Sequence, residues 1–557
     1  MSGIHETPRE YGADAAAAAE TSPSEEPRPR RARSGRLARS TALFSAATAA
    51  SRVAGLVREM VAASYFGVTG AMSAFTIAFQ VPNLVRSLFA DAAIQAAFVP
   101  VFTEQLEQGK GREAFRLAST LIFLVALVLG ALTAFFILIA PVLMPLFVPE
   151  EYVDVTDLTV TLSQILFPIV VLLGLTGMVV GILNSYDRFG AYAISPFFWN
   201  VAIIGVLVAL APAFSGDDEI YAYAIGVLVG TVIQLMIPVW DLRNTPYGTR
   251  RAILAPFRVR RGDWRDSNVR RVLLLMLPVT ISLGLININL LINSTVGFLV
   301  SEEAPAAIDK AFRVYMLPQG IFSVAIATVL FPTLARFAAR ADFDGLRATM
   351  ANGMRQILLL LIPAMAAILV LAEPMTRLIY ERGDFTAAST DLVSEALFWF
   401  AFSLPFNGLF LLLTRTFFSL QRTWIPTVIS LGNLAITAGV ALAFYEPFGV
   451  GGIVAATGIA TIASVVAEAW ILRGTLGRLE LGRLIWSGSR ILVAGAALAG
   501  TSYLVWDVLD SELGRGVGAQ IASLGVALGA GALVYGAVVL ALRVPEATQA
   551  LRVIRRR

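Results

Sequence analysis

Apolar runs separated by short polar stretches repeat along this chain from about position 41 almost to its end. A helix needs about 20 apolar residues to cross the hydrocarbon core of a bilayer. The pattern predicts an all-α polytopic membrane protein with fourteen spans. They lie near 41–66, 71–102, 117–148, 158–184, 191–213, 220–241, 271–300, 304–336, 352–380, 388–417, 424–445, 450–472, 485–507 and 516–543. The connections alternate in charge. One set carries arginine: REAFR, SYDRF, the segment from Arg243 to Arg271, RFAARADFDGLR, SLQRT, RGTLGRLELGR and the terminal RVIRRR. The other set is acidic or neutral: VPEEYVDVTD, SGDDE, SEEAP, YEPFGVGG and WDVLDSE, with EPMTRLIYERGDF mixed. Basic loops face the cytoplasm. The chain is therefore expected to be multi-pass in a bacterial cytoplasmic membrane with both termini inside, and an even span count agrees.

The flanking segments belong to a different regime. Residues 1–40 are rich in Pro, Ala, Glu and Arg with almost no large apolar residue, so they are expected to be disordered. Their basic end, RPRRARSGRLAR, suits a cytoplasmic anchor on anionic lipid. The expected organisation is a tail at 1–40, a first lobe at 41–241, a basic linker at 242–270, a second lobe at 271–472, two further helices at 485–543 and a basic tail at 544–557.

The two lobes echo each other at an offset near 233 residues. AAFVPVFTEQ resembles TVLFPTLARF, with Pro100 against Pro332. GILNSYDRFGAYAISPFFWNVAI resembles RTFFSLQRTWIPTVISLGNLAI, which matches Ser185, Arg188 and Asn200 to Ser419, Arg422 and Asn433. Six spans separate equivalent points, so both copies point the same way. That is the plan of two six-helix bundles related as parallel repeats, with a transport path between them.

Composition narrows the chemistry. The chain is 57% hydrophobic and only 15% charged, with no cysteine and a single histidine, His5. Histidine or cysteine metal sites and His-based triads are excluded. GKGREAF lacks the first glycine and the Ser/Thr of a phosphate-cradling loop. No enzyme, no metal site, no bound cofactor and no nucleic-acid partner is expected.

What remains is charge inside the spans. Arg52 and Arg58 lie in the first, Arg86 in the second and Arg313 in the eighth. An ionised group at mid-bilayer costs about 2.5–3.5 kcal/mol even on the lenient scale, so such groups face protein or water. Arg52, Gly55 and Arg58 step by three, so the arginines flank a sector that Gly55 leaves free of bulk. Glu59 returns to the face of Arg52. Asn83, Ser87 and Asp91 form one stripe, with Arg86 beside it and Pro82 expected to kink the span. Arg313 followed by Pro318 repeats the device in the second lobe. Two readings stand. The charges form internal pairs, Arg58 beside Glu59, Arg86 with Asp91 and Arg313 with Asp309. Alternatively, a surplus of cations binds an anion, and arginine's planar fork suits phosphate.

The string SRVAGLVREMVAASYFG…AFTIAFQVPNLVRSLFADAAIQAAFVPVF, continued by ILNSYDRF and RVYMLPQGIFSVAIATVLFPTLARF, resembles the MurJ/MviN family, the lipid II flippases of the MOP exporter superfamily. The resemblance covers roughly residues 40–545. It implies a two-lobed, V-shaped fold of fourteen helices that moves undecaprenyl-diphosphate-linked peptidoglycan precursor from the inner to the outer leaflet by alternating access. It implies that Arg52, Arg58, Arg86 and Arg313, with Asn83, hold the diphosphate, and that Glu59 and Asp91 are their acidic partners. Gly55, Pro82 and Pro318 would serve gating. The bilayer and the cell-wall synthesis machinery are the further partners this implies. Two departures stand out. Ser73 replaces an acid that some members carry near the start of the second helix. Asn287, Asn289, Asn293 and Asn433 stand where some members place carboxylates for sodium. Coupling to the membrane potential is therefore preferred over a monovalent cation. The competing readings are a flippase for another polyprenyl-diphosphate oligosaccharide and a cation-coupled drug exporter of the same superfamily.

Overall fold

The computed structural model describes residues 30–89, 91–254, 266–477 and 481–548; side chains at 30–45, 87–89, 91–96, 252, 275–287 and 481 fall outside that description. The described residues form helices and no strands. The first half contains α1 (Arg30–Phe66), α2 (Gly70–Phe89), α3 (Asp91–Glu107), α4 (Gly111–Leu143), α5 (Val153–Leu166), α6 (Ile169–Ser185), α7 (Gly190–Leu210) and α8 (Ile220–Asp241). A six-residue helix, α9 (Thr249–Leu254), lies in the basic linker. The second half contains α10 (Ser267–Gly297), α11 (Ala304–Pro318), α12 (Val324–Ala339), α13 (Phe343–Tyr380), α14 (Ala387–Ser419) and α15 (Trp424–Leu476). α16 (Leu481–Leu513) and α17 (Val517–Ala541) close the described chain.

Ten helical stretches among the described residues are long and apolar enough to cross a membrane, fewer than the fourteen expected. Part of the difference is physical. α15 runs 53 residues through a sharp reversal at Gly449 (φ 54°, ψ −139°), where the eleventh and twelfth expected spans meet. A positive φ is open to glycine at little cost. The second expected span is divided between α2 and α3, of 20 and 17 residues.

Local structure bears on three expectations. The helix containing the first span begins at Arg30, so the end of the segment expected to be disordered is helical. RRARSGRLAR follows Pro29 and contains no further proline, and arginine, alanine and leucine are good helix formers. At Pro82, where a kink is expected, the helix is not interrupted: α2 continues through it to Phe89. Ala78, Val81 and Val85 around it are all buried, so packing holds the helix together there. Pro318 interrupts its helix. α11 ends on it, and Gln319–Ser323 form a π-turn before α12 resumes. Such turns occur where a helix is interrupted at functional sites.

The internal repeat is visible in the packing. α1 packs on α7, α2 on α5, and α3 and α4 on α6. In the second half α10 packs on α15, and α11, α12 and α13 all pack on α14. Matched turns share backbone geometry: Asp187 and Gln421 both have positive φ, 55° and 59°. Matched side chains share partners too. Arg188 Nη2 donates to Asp241 Oδ1 at 2.7 Å, and Arg422 Nη1 to Thr475 Oγ1 at 2.8 Å. The bundles meet where α2 touches α10 and α11, and where α3 touches α10. α16 and α17 pack on each other and on α13, outside the repeat.

Candidate anion site between the bundles

Glu59, on α1, lies where the two bundles join and is 5% exposed. Three cations surround it. Arg58 bonds its Oε1 from the same helix. Lys310 Nζ on α11 reaches its Oε2 at 2.9 Å, and Arg313 Nε lies 3.3 Å from Oε1. Arg313 also donates from Nε to Asp309 Oδ2 at 2.8 Å. Lys310 is wholly buried, 5.8 Å from the Tyr380 ring centroid, and the Tyr380 hydroxyl donates to its carbonyl at 3.3 Å. Arg58 stacks over Trp199 of α7, 4.7 Å from the ring centroid. Its Nε is buried with no hydrogen-bond partner among the described residues. Three cations therefore share two carboxylates, Glu59 and Asp309. The expected Arg313–Asp309 pair is present, yet pairing does not neutralise the group.

The cluster marks a change in exposure. Along α1, Val53 and Val57 are exposed, whereas Ala62, Ala63 and Phe66 beyond the cluster are buried. Along the eighth expected span, Ala304 to Ala311 are buried, whereas Met316, Leu317, Ile321 and Val324 are exposed. α1 and the eighth expected span are thus covered on the side of the cluster away from the chain termini and uncovered on the near, parted side, where α3 and α10 still join the bundles through Arg271 Nη1 and Glu104 Oε2 at 2.9 Å.

The remaining arginines stand on the parted side. Arg52 is exposed, and a Cβ built on Gly320 of the π-turn would lie 3.9 Å from its Nη1. Arg86 is half-buried and donates from Nε and Nη2 to Asn83 Oδ1 at 3.0 and 2.8 Å. The side chain of Asp91 lies outside the described residues, so its expected pairing with Arg86 does too. Gly55 has a neighbour across the helix interface. A Cβ there would lie 3.8 Å from both terminal atoms of Asn200, an ordinary contact distance, so Gly55 faces Asn200 of α7. Asn200 itself donates to Pro196 O at 2.8 Å.

On the joined side the bundles touch backbone to backbone. Asp384 N donates to Ser64 O at 3.0 Å. Gly67 and Gly383 both have positive φ; Cβ atoms there would lie 2.4 Å from Asp384 O and 2.1 Å from Ser64 O. Gln80 Nε2 donates to Ser294 Oγ at 2.9 Å. In the loop before α11, the Glu302 carboxyl is pushed up from its ordinary range by burial, then by Glu303 and Asp217.

The asparagines of α10 are engaged by hydroxyls and amides. Asn289 Nδ2 donates to Asn433 Oδ1 at 3.1 Å, and Asn293 Nδ2 to Thr457 Oγ1 at 2.9 Å. The side chain of Asn287 lies outside the described residues. Sequence reasoning missed Lys310 and Trp199. Lys310 was legible, since it lies beside Asp309 and one turn before Arg313, but an arginine count passes over it. Trp199 carries no sequence signal beyond being aromatic.

The model of the family described as "Lipid II flippase MurJ" matches residues 62–517. A "Probable lipid II flippase MurJ" of Rhizobium meliloti is 32% identical over 497 residues, covering 86% of this chain and 88% of the relative. The solved structure titled "Lipid II flippase MurJ, inward closed conformation" superposes with a TM-score of 0.71 at 22% identity, covering 90% of this chain and 99% of the other. A multidrug resistance MATE family transporter of the MOP superfamily, solved in an inward-facing conformation, gives 0.63 at 15% identity, covering 77% and 95%, which is a likeness of fold alone. With a match across most of its length and a multi-pass fold whose cationic core lies between two repeats, the chain belongs to the MurJ lipid II flippase family.

Proposed function

We propose that this chain carries lipid II from the inner to the outer leaflet of the bacterial cytoplasmic membrane, with both termini in the cytoplasm. The observation behind the reading is the cationic surplus around Glu59 at the junction of the bundles. A diphosphate is an anion that arginine binds through two parallel hydrogen bonds. Arg52 lies six residues, about 9 Å along the helix, before Arg58 and on the parted side. With Arg86 it meets an incoming headgroup first. The polyprenyl tail stays in lipid.

Glu59 supplies the switch. Its carboxylate on α1 bridges to Lys310 and Arg313 on α11, so it occupies the place an anionic headgroup would take. A diphosphate at Arg58 and Arg313 competes with it and loosens the link between the bundles. The bundles rock about their junction and open on the other side. When the headgroup leaves, Glu59 re-forms its bridges and the empty carrier returns. The path is alternating access through electrostatic exchange, and no covalent step is involved.

The test is depletion of the resident flippase in a bacterium that depends on it, complementation with this chain, and leaflet-resolved labelling of the lipid-linked precursor. Restored labelling in the outer leaflet is the expected result. Growth without labelled precursor in the outer leaflet would overturn the reading.

A further inference from the structure

A second buried carboxyl takes no part in this exchange. Glu468 lies in the apolar run SVVAEAWIL of α15 and is 0% exposed. Thr414 Oγ1 on α14 donates to its Oε1 at 2.8 Å. Its Oε2 has no hydrogen-bond partner among the described residues. The cations on α15 and on the helices packed against it are engaged elsewhere or exposed, and of the α14 carboxylates Asp391 is exposed and Glu395, also exposed, accepts from Gly451 N at 3.2 Å. Arg415 lies over Phe331, 5.5 Å from the ring centroid. Arg355 pairs with Glu546 at 2.6 Å, and Arg347 and Arg377 pair with Asp344 and Glu373. Lys310 and Arg313 belong to the Glu59 cluster. Arg271 pairs with Glu104 at 2.9 Å, Arg270 is exposed, and on α15 itself Arg473 is exposed.

One neutral donor cannot replace the hydration of an ionised carboxylate in apolar packing. The neutral acid is the form such a site accommodates, because it buries no net charge. The surroundings also lead somewhere. Thr457, Thr461, Ser464 and Glu468 recur at helical spacing on one face of α15. Asn433 Nδ2 donates to Ser464 Oγ at 3.0 Å and in turn accepts from Asn289 of α10. α10 is the helix that packs on α2 and α3 of the first bundle, with Ser294 bonded to Gln80. A line of polar groups thus runs from the face that carries Glu468 to the bundle junction.

We propose that Glu468 is a proton-binding site. It holds a proton as a neutral carboxylic acid in the conformation seen here. When rearrangement of the second bundle admits water, the O–H bond breaks, the electron pair stays on the carboxylate and the proton passes to water. Proton occupancy and bundle arrangement then bias one another, as linked equilibria must. The proposal goes beyond the flippase reading and needs no lipid substrate for its test.

The experiment is infrared difference spectroscopy of the full chain in lipid nanodiscs at neutral pH. Wild type is expected to show a carboxylic-acid carbonyl band that Glu468→Gln removes. Thr414→Val keeps the acid but removes its donor, so it should shift that band to higher frequency. This second variant decides the matter even if Glu468→Gln fails to fold. The chain has no cysteine, so spin labels at Glu151→Cys and Ala388→Cys can report the distance between bundles. That distance should respond to pH in the otherwise native chain and lose the response with Glu468→Gln. Absence of the acid band, or of any shift on Thr414→Val, overturns the site. A distance that responds to pH equally in both proteins, or in neither, overturns its link to bundle movement.

Discussion

Ser73 Oγ accepts a hydrogen bond from Ala306 N at 3.2 Å, and these two residues are 233 positions apart, the offset of the internal repeat. A residue can touch its own equivalent only near the axis that relates the two copies. The contact places that axis between the start of α2 and the start of α11. Ser73 is wholly buried there. The bundles therefore meet at a junction built from equivalent elements, and Glu59, Lys310 and Arg313 lie beside it.

Replacing Arg58 or Arg313 by alanine should abolish complementation of a flippase-depleted strain while membrane levels of the protein stay near normal. Lysine at Arg52, Arg58 or Arg313 should leave at least one site defective, because it lacks the planar fork. Immunoblotting of membranes alongside growth separates lost function from lost protein. Full activity for all three lysine variants would show that charge alone suffices.

Glu59→Gln takes the carboxylate partner from the wholly buried Lys310 and should destabilise the protein by about 3–5 kcal/mol, the usual range for breaking a buried pair; after Lys310→Met the carboxylate keeps Arg58 and Arg313, so that variant should cost less. Lys310→Met with Glu59→Gln should recover part of that loss. Denaturant unfolding of the two single variants and the double gives the coupling energy. Independent, additive losses would mean that the bridge carries no energy.

Gly67→Ala and Gly383→Ala should each loosen the joined side. Alanine at a positive φ costs about 1 kcal/mol or more, and each Cβ would also strike the opposite bundle's backbone. Accessibility of a cysteine introduced at Ser64 to a membrane-impermeant thiol reagent should rise. Unchanged labelling in both variants would show that the contact does not hold the bundles together.

Glu302 sets a pH dependence. Its carboxyl is raised, so over the window between its ordinary range and the raised value the folded state holds a proton that the unfolded chain has released. Stability must fall as pH rises through that window. Glu302→Gln should flatten this part of the profile of thermal stability against pH. A profile identical to wild type would remove Glu302 from the account.

Transport should follow the membrane potential. A diphosphate of charge near −2 leaving a negative interior gains about 2.3 kcal/mol per charge per 100 mV. The emptied cationic site is drawn back by the same field. Collapsing the potential at constant pH and sodium should stop outward movement, whereas removing sodium alone should not. The opposite pattern would point to an ion held among the asparagines of α10.

Much of this molecule was legible in its sequence, because a bilayer leaves a chain few choices. Apolar runs of spanning length must be helices, since every backbone group needs a partner in lipid. Charged residues inside such runs must face protein or water, which singled out Arg52, Arg58, Arg86, Arg313 and Glu59 before any coordinates. The repeat offset was equally plain from Pro100, Pro332, Asn200 and Asn433. The partners of these charges were not, because helical periodicity fixes a face but not what the face meets. Gly55 faces Asn200, a neighbour decided by how α1 approaches α7. Glu59 looked like a neighbour of Arg58, and only the meeting of α1 with α11 made it the counter-charge of Lys310 and Arg313. Pro82 and Pro318 carry the same local chemistry, yet the packing around Ala78, Val81 and Val85 keeps one helix whole while the other opens into a π-turn. The local sequence determined which groups would be costly to bury; the contacts between the bundles decided how each of them is satisfied.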